Sequence, residues 1–152
     1  MFVGRKKELD ALNSRYKSNR KEFGVLYGRR RIGKSSILNE FLKDKKGILF
    51  QAKQDNSYGN LKSFSYEVDH LLNLPDTFVF ASWQHAFKSI QEYAKNERFV
   101  LIIDEYPYIV SQDSSFSSVL QEFIDHASDN MMVILSGSDI GFLQKEIQNH
   151  AS

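Results

Sequence analysis

The chain has 152 residues, enough for one hydrophobic core, and its 41% hydrophobic and 26% charged residues are typical of a globular domain. Twenty basic residues against nineteen acidic ones leave a net charge of +1, which gives no overall reason to expect a nucleic-acid coat or a membrane-surface partner. The absence of cysteine excludes disulfides and thiol nucleophiles, and no segment approaches the roughly 18 apolar residues of a membrane span. We therefore expect a cytoplasmic protein with no membrane partner.

The first half of the chain alternates between helix and strand signals. Leu9, Leu12 and Tyr16 recur at helical spacing in a charged segment and predict a surface helix. The β-rich run FGVLYG then ends at Gly28. A second apolar stripe, which runs out near Gly47, predicts another helix, and GILFQAK predicts a second strand.

The second half continues the alternation. LKSFSYEVDHLL and SWQHAFKSIQEYA predict two helices, the second capped by Ser82. RFVLIIDEY is typical of a strand covered on both faces, and Pro107 is expected to end it. FSSVLQEFIDHA predicts a further helix, MMVILSGS a fourth strand, and GFLQKEIQNH the start of a last helix.

This alternation predicts an α/β fold in three layers, with a mostly parallel sheet of about four strands and helices on both faces. The chain contains no internal repeat, low-complexity tract or obvious linker. Residues 1–152 are therefore expected to form a single domain.

The turn after the first strand fits the phosphate-loop (Walker A) motif G-x-x-x-x-G-K-[ST], from Gly28 to Ser35. Its glycines let successive amides point at phosphate oxygens, and the dipole of the following helix adds to the attraction. Lys34 is expected to reach the β- and γ-phosphates, and the Ser35 hydroxyl to bind Mg²⁺. An accidental glycine-rich turn is the alternative, and it requires several coincidences. The expected nucleotide-binding residues of this loop are Gly28, Arg30, Arg31, Ile32, Gly33, Lys34, Ser35 and Ser36.

The three arginines of the loop, Arg29, Arg30 and Arg31, allow two interpretations. They clamp phosphate or the acidic surface of a partner, or they are solvated side chains that add only a general positive potential. The second interpretation is favoured, because the backbone and the lysine supply the specific contacts in this motif.

The strand FVLIIDEY ends in a pair of carboxylates that complements the loop. Asp104 is expected to hold Mg²⁺, directly or through a water, and Glu105 to polarise the attacking water as a general base. A strand often ends in acidic residues that only meet solvent, so the functional interpretation depends on the phosphate loop.

The spacing distinguishes among classes of phosphate-loop proteins. Seventy positions separate Lys34 from Asp104, and they hold a helix, a strand and two more helices. The acidic strand is therefore not expected to be the next strand after the loop. This layout, with a glutamate directly after the aspartate, is typical of the additional-strand branch of P-loop ATPases. No Asn-Lys-x-Asp tetrapeptide that reads guanine is present, so adenine is expected.

FVGRKKEL, GRRRIGKSSIL, FVLIIDEYPYI and VILSGSDIGFL together resemble a prokaryotic, predominantly archaeal ATPase family related to AAA+ and STAND ATPases. The resemblance spans nearly all of the chain and implies a P-loop NTPase fold that uses ATP and Mg²⁺. It also implies that Val3, Gly4 and Arg5 lie against the adenine, although they are alternatively only the entry to a helix. Ser136, or alternatively Ser138, corresponds to a polar sensor of the γ-phosphate or the attacking water; Ser138 also fits the cap of the next helix.

The resemblance further implies that the chain is incomplete at its carboxyl end. Relatives continue into a fifth strand beside the phosphate-loop strand, a helical lid and a further domain. These parts, with any arginine finger, would be absent here. We therefore expect weak hydrolysis, a free sheet edge that invites a second copy or a protein partner, and nucleic-acid contact only through the absent region.

The leading expectation is an ATP-binding, Mg²⁺-dependent ATPase module of a larger prokaryotic regulatory or nucleic-acid-associated machine. A STAND-like nucleotide-gated switch with little turnover is the first alternative. A nucleic-acid-binding domain with a vestigial phosphate loop is the second, and its support is the arginine cluster and RKK near the amino terminus.

Overall fold

The computed structural model describes residues 3–27, 33–75 and 78–137, with the backbone alone for residues 3–5 and Tyr27. The helix that GFLQKEIQNH predicts lies outside these residues. In chain order the elements are α1 (Val3–Tyr16), β1 (Glu22–Tyr27), α2 (Lys34–Leu42), β2 (Gly47–Gln51), α3 (Ser57–Leu72), α4 (Trp83–Tyr93), β3 (Phe99–Asp104), α5 (Pro107–Gln112), α6 (Phe116–His126) and β4 (Met131–Gly137).

The four predicted strands form one parallel sheet in the order β1-β4-β3-β2. Strand β4 therefore lies between the phosphate-loop strand β1 and the acidic strand β3. This arrangement confirms the additional-strand layout that the spacing of Lys34 and Asp104 predicts. It also confirms the α/β P-loop NTPase fold class.

Helices cover both faces of the sheet, which confirms the three layers. On one face, Val100 and Ile102 of β3 pack in a cluster with Leu38 and Phe41 of α2, and α1 adds to its edge. The alternate residues of β3 belong to a larger cluster that contains side chains of α3, α4, α5 and α6. Since successive strand residues point to opposite faces, a strand buried on both sides is apolar throughout, as β3 is until Asp104.

The amino-terminal cap of α4 is the one that the sequence predicts, whereas the sequence does not predict helix α5. The Ser82 hydroxyl accepts a hydrogen bond from the His85 amide at 3.2 Å, as predicted for a helix start. Pro107 does not end β3: the strand already ends at Asp104, and the proline opens the short helix α5. Proline suits the first turn of a helix because the amide that it lacks has no intrahelical acceptor there.

The amino end of the sheet is held by one guanidinium group. Arg98 donates to the carbonyls of Arg15 (3.1 Å), Tyr16 (3.0 Å), Arg20 (2.7 Å) and Asp129. Two of these carbonyls belong to the last turn of α1, where helical acceptors lack partners. Burial lowers the pKa of Arg98 from its usual value.

None of the helices in the described ranges combines the length and the apolar character needed to cross a bilayer.

Candidate functional site

The phosphate-loop lysine and the carboxylates of β3 meet at the carboxyl end of the sheet. Lys34, the first residue of α2, places its Nζ 3.2 Å from Asp104 Oδ1 and 3.1 Å from Glu105 Oε1. Lys34 is only 5% exposed and Asp104 only 2%. Because an isolated buried charge is costly, this geometry makes the three side chains one mutually compensating unit. The structure thus brings together the two halves of the predicted site.

The start of α2 has the backbone that the motif requires. Gly33 has φ +83°, in the left-handed region that favours glycine, and no side chain caps the helix. The Gly33 carbonyl accepts the first helical hydrogen bond, from the Ile37 amide at 2.9 Å. In the first turn of a helix the amides lack the carbonyl partners of later turns, and the helix dipole makes this end attractive to an anion.

Asp104 is fixed by a set of donors that converge on one oxygen. Its Oδ1 accepts hydrogen bonds from the Ser136 hydroxyl at 2.8 Å and the Glu105 amide at 3.0 Å, beside the contact with Lys34. Ser136 is fully buried and stands directly opposite Asp104 in the pairing of β3 with β4. The carboxylate orientation is therefore set by the sheet itself.

Glu105 follows the strand with an unusual backbone. Its φ of +54° lies in the left-handed region, which costs a residue other than glycine about 1 kcal/mol or more. The turn is closed by the Tyr108 amide, which donates to the Glu105 carbonyl at 3.0 Å. This turn directs the Glu105 side chain toward Lys34 instead of along the strand.

A cleft of about 270 Å³ opens beside these residues. The described residues that line it are Lys34, Ser35, Gln51, Asp104, Glu105 and Tyr108. The Ser35 hydroxyl and the Asp104 carboxylate are hard oxygen donors of the kind that Mg²⁺ prefers. Within the described part of the chain no group of three or more metal-binding side chains exists.

The structure describes only part of the predicted site. Lys34, Ser35, Asp104, Glu105 and Ser136 lie together, Gly33 precedes α2, and Ser36 is exposed in its first turn. Outside the described residues are Gly28, Arg29, Arg30, Arg31, Ile32 and Ser138. The backbone of Val3, Gly4 and Arg5 forms the first turn of α1, and the contact of these residues with adenine stays a prediction.

Two residues that line the cleft were not predicted. Gln51 ends β2 and pairs in register with Asp104, and a polar residue at the end of the run GILFQ is the signal that indicates it. Tyr108 lines the cleft from α5, and no pattern in the sequence predicts that helix.

The comparisons with known proteins bear on the whole chain. A profile described as an ATPase domain predominantly from Archaea matches residues 2–152. An uncharacterized protein of Methanocaldococcus jannaschii, MJECL04, is 27% identical over 154 residues, which cover all of this chain and 33% of that protein. The uncharacterized ATP-binding protein MJ0423 of the same organism is 46% identical over 46 residues, or 30% of this chain and 78% of that protein.

Similar solved structures share the fold at low sequence identity. The Orc1 protein of Aeropyrum pernix, in complex with DNA, has a TM-score of 0.69 and 13% identity over 96% of this chain and 40% of that one. Cdc6p of Pyrobaculum aerophilum has a TM-score of 0.63 and 15% identity over 95% and 41%. This chain thus spans a third of MJECL04 and about two fifths of these structures. With the match over residues 2–152, the chain belongs to the family of ATPase domains found predominantly in Archaea.

Proposed function

We propose that the chain binds ATP with Mg²⁺ in the cleft at the carboxyl end of the sheet and hydrolyses it. It would do so as the nucleotide module of a larger prokaryotic regulatory or nucleic-acid-associated ATPase. The observation that carries the proposal is the convergence of Lys34 with Asp104 and Glu105, because phosphate, metal and attacking water need these three groups within one small volume.

Each side chain has a distinct part in this chemistry. The Lys34 ammonium and the amides at the start of α2 would hold the phosphates, which compete with the two carboxylates for the lysine. The Ser35 hydroxyl and the Asp104 carboxylate would hold Mg²⁺, which supplies positive charge to the phosphate oxygens. Glu105 would accept the proton of the attacking water.

Calorimetric titration with ATP, ADP and GTP, with and without Mg²⁺, tests the proposal. We expect ATP and ADP to bind, GTP to bind more weakly, and Lys34→Ala to abolish binding. Lys43→Ala is the matched control, since this exposed lysine lies at the other end of the same helix. If Lys34→Ala kept the ATP affinity within a factor of two, the assignment of the phosphate site would be wrong.

A nucleotide-gated switch with little turnover is the second candidate function. It is favoured by the contact of Glu105 with Lys34, because the carboxylate proposed to accept the proton of the attacking water is held by a hydrogen bond in this structure. Multiple-turnover measurements decide between the two. Tight nucleotide binding without phosphate release, together with a large nucleotide-dependent change in assembly, favours the switch.

A nucleic-acid-binding domain with a vestigial phosphate loop is disfavoured by the intact arrangement of Lys34, Asp104 and Glu105. The Aeropyrum pernix Orc1 structure is a complex with DNA, and we propose that any nucleic-acid contact here is made by regions beyond this chain. DNA titration at low salt checks this. Affinity that falls steeply with salt would revive the alternative.

A further inference from the structure

We infer that Ser136 is a positioning residue for Asp104: its hydroxyl fixes the carboxylate that would hold Mg²⁺ instead of contacting the γ-phosphate. The inference rests on the proposed function and assigns Ser136 a role different from that of the phosphate sensor which the resemblance implies.

Ser136 donates the hydrogen bond that it shares with Asp104. A serine hydroxyl has one proton, and an ionised carboxylate only accepts, so Ser136 is the donor in the 2.8 Å contact with Asp104 Oδ1. A phosphate oxygen also needs a donor. The proton that a γ-phosphate sensor would offer is therefore already committed to Asp104.

Ser136 is held rigidly within the sheet. Ser136 pairs in register with Leu26 of β1 on one side and with Asp104 of β3 on the other. Its carbonyl accepts from the Tyr106 amide at 3.2 Å, directly after the acidic pair. A residue whose backbone is held between two strands and whose side chain is fully buried is suited to orient a neighbour and poorly suited to follow a phosphate that comes and goes.

The donors around Asp104 would also change when nucleotide binds. Three donors meet at Oδ1: Ser136, the Glu105 amide and Lys34. If Lys34 moves to the phosphates, as the proposed function requires, Ser136 and one amide are left to hold Oδ1. Asp104 would be one of the residues that hold Mg²⁺, and hydrogen bonds of this kind orient a carboxylate that binds a metal.

The test is a Mg²⁺ titration of nucleotide binding by Ser136→Ala. We expect the Mg²⁺ concentration for half-maximal enhancement of ATP binding to rise about tenfold, the low end of what loss of such a partner costs in metal affinity. ADP affinity in EDTA should stay within about twofold of the unaltered chain. The ratio of affinities for a non-hydrolysable ATP analogue and ADP, at saturating Mg²⁺, should not change. Ser35→Ala, which removes a direct metal ligand, is the positive control, and Ser63→Ala on the exposed face of α3 is the negative one.

The opposite pattern overturns the inference. An unchanged Mg²⁺ requirement with a reduced preference for the ATP analogue over ADP would make Ser136 a phosphate sensor. If Ser136→Ala does not fold, as judged by its thermal transition, Ser136→Val removes the donor while filling the buried strand position, and an unshifted Mg²⁺ requirement in that variant overturns the inference equally. Failure of the unaltered chain to bind either nucleotide rejects the proposed function itself, a separate result.

Discussion

Lys34, Asp104 and Glu105 form a charge balance that the proposed nucleotide binding would rearrange. One ammonium group compensates two carboxylates at 3.2 and 3.1 Å in a largely buried setting. Removing the lysine leaves two uncompensated acids facing each other, whereas neutralising one acid leaves a simple ion pair. The two kinds of substitution therefore have different consequences for binding and for chemistry.

Glu105→Gln should retain ATP binding and lose hydrolysis. The amide keeps an oxygen that accepts from Lys34 but cannot take a proton from water, and loss of a general base costs about 10²–10⁴-fold in rate. Calorimetry measures the binding, and phosphate release under single-turnover conditions measures the chemistry. Glu67→Gln, on the exposed face of α3, is the matched control. Turnover within twofold of the unaltered chain would remove Glu105 from the mechanism.

At this scale the sequence predicted residues that the structure brings together, and it missed how they contact one another. The loop motif and the acidic strand end indicate Lys34, Asp104 and Glu105 because each belongs to a local pattern. The hydrogen bond from Ser136 to Asp104 depends on the register between β3 and β4, which non-local packing sets and no local pattern contains. The left-handed backbone of Glu105 is likewise a product of its tertiary contacts.

Among the elements, α1 is fastened to the sheet by Arg98, a residue that the sequence patterns did not single out. Its guanidinium group contacts carbonyls of α1, of the loop before β1 and of the turn before β4. Arg98→Ala should lower the free energy of unfolding by about 2 kcal/mol or more, because hydrogen bonds to a charged group are lost and carbonyls of the α1 end lose a partner. Urea denaturation measures the change.

A comparison with Arg15 makes the Arg98 prediction specific. Arg15 pairs with Glu22 at 3.3 Å, but its side chain is 59% exposed, so Arg15→Ala should cost less than about 1 kcal/mol. If both variants lost the same free energy of unfolding, the carbonyl contacts of Arg98 would add no more stability than the exposed ion pair of Arg15.

Asp113 lies at the junction of α3, α5 and α6, and we expect its ionisation to make the stability of this junction depend on pH. Its carboxylate accepts from the Ser115 hydroxyl at 2.6 Å and from the Ser57 hydroxyl at 3.0 Å. These bonds, that with Ser115 first, hold the pKa of Asp113 below its usual range. Because the folded state favours the ionised form, the contribution to stability is complete above the unfolded pKa of about 3.9 and is lost as the pH falls through the lower folded pKa.

Asp113→Asn should therefore flatten the fall in unfolding free energy below about pH 4, measured by urea denaturation at a series of pH values. Asp44 is the control: hydrogen bonding to Lys45 lowers its pKa, but it is fully exposed, so solvent screens the interaction. A steeper effect from Asp44→Asn than from Asp113→Asn would contradict the prediction.

The elements that the sequence predicted are those with a long periodic pattern. All four strands and the helices α1, α2, α3, α4 and α6 lie where apolar runs or stripes indicate them. Helix α5 has six residues, too few for a periodic apolar stripe. It begins with Pro107, which from the sequence alone is expected to end a strand.

For the whole molecule, the notable feature is the edge of the sheet. Among the described strands, β1 pairs on one side only, with β4, so the phosphate-loop strand lies at the edge. A groove of about 340 Å³ runs along it, with Leu12 of α1 and Phe23 and Val25 of β1 among its lining residues. Within the described sheet no second strand flanks β1, and a strand edge beside an apolar groove can pair with another strand.

We therefore predict that the chain self-associates through β1, so that the mass measured by light scattering rises with concentration. Gly24→Lys should suppress this, because a charged side chain on an edge strand opposes pairing. No neighbouring atom lies within 4 Å of a Cβ added at Gly24, and the fold should accept the lysine. Lys46→Ala, outside the groove, should leave the association unchanged. A strict monomer at all concentrations would contradict the prediction.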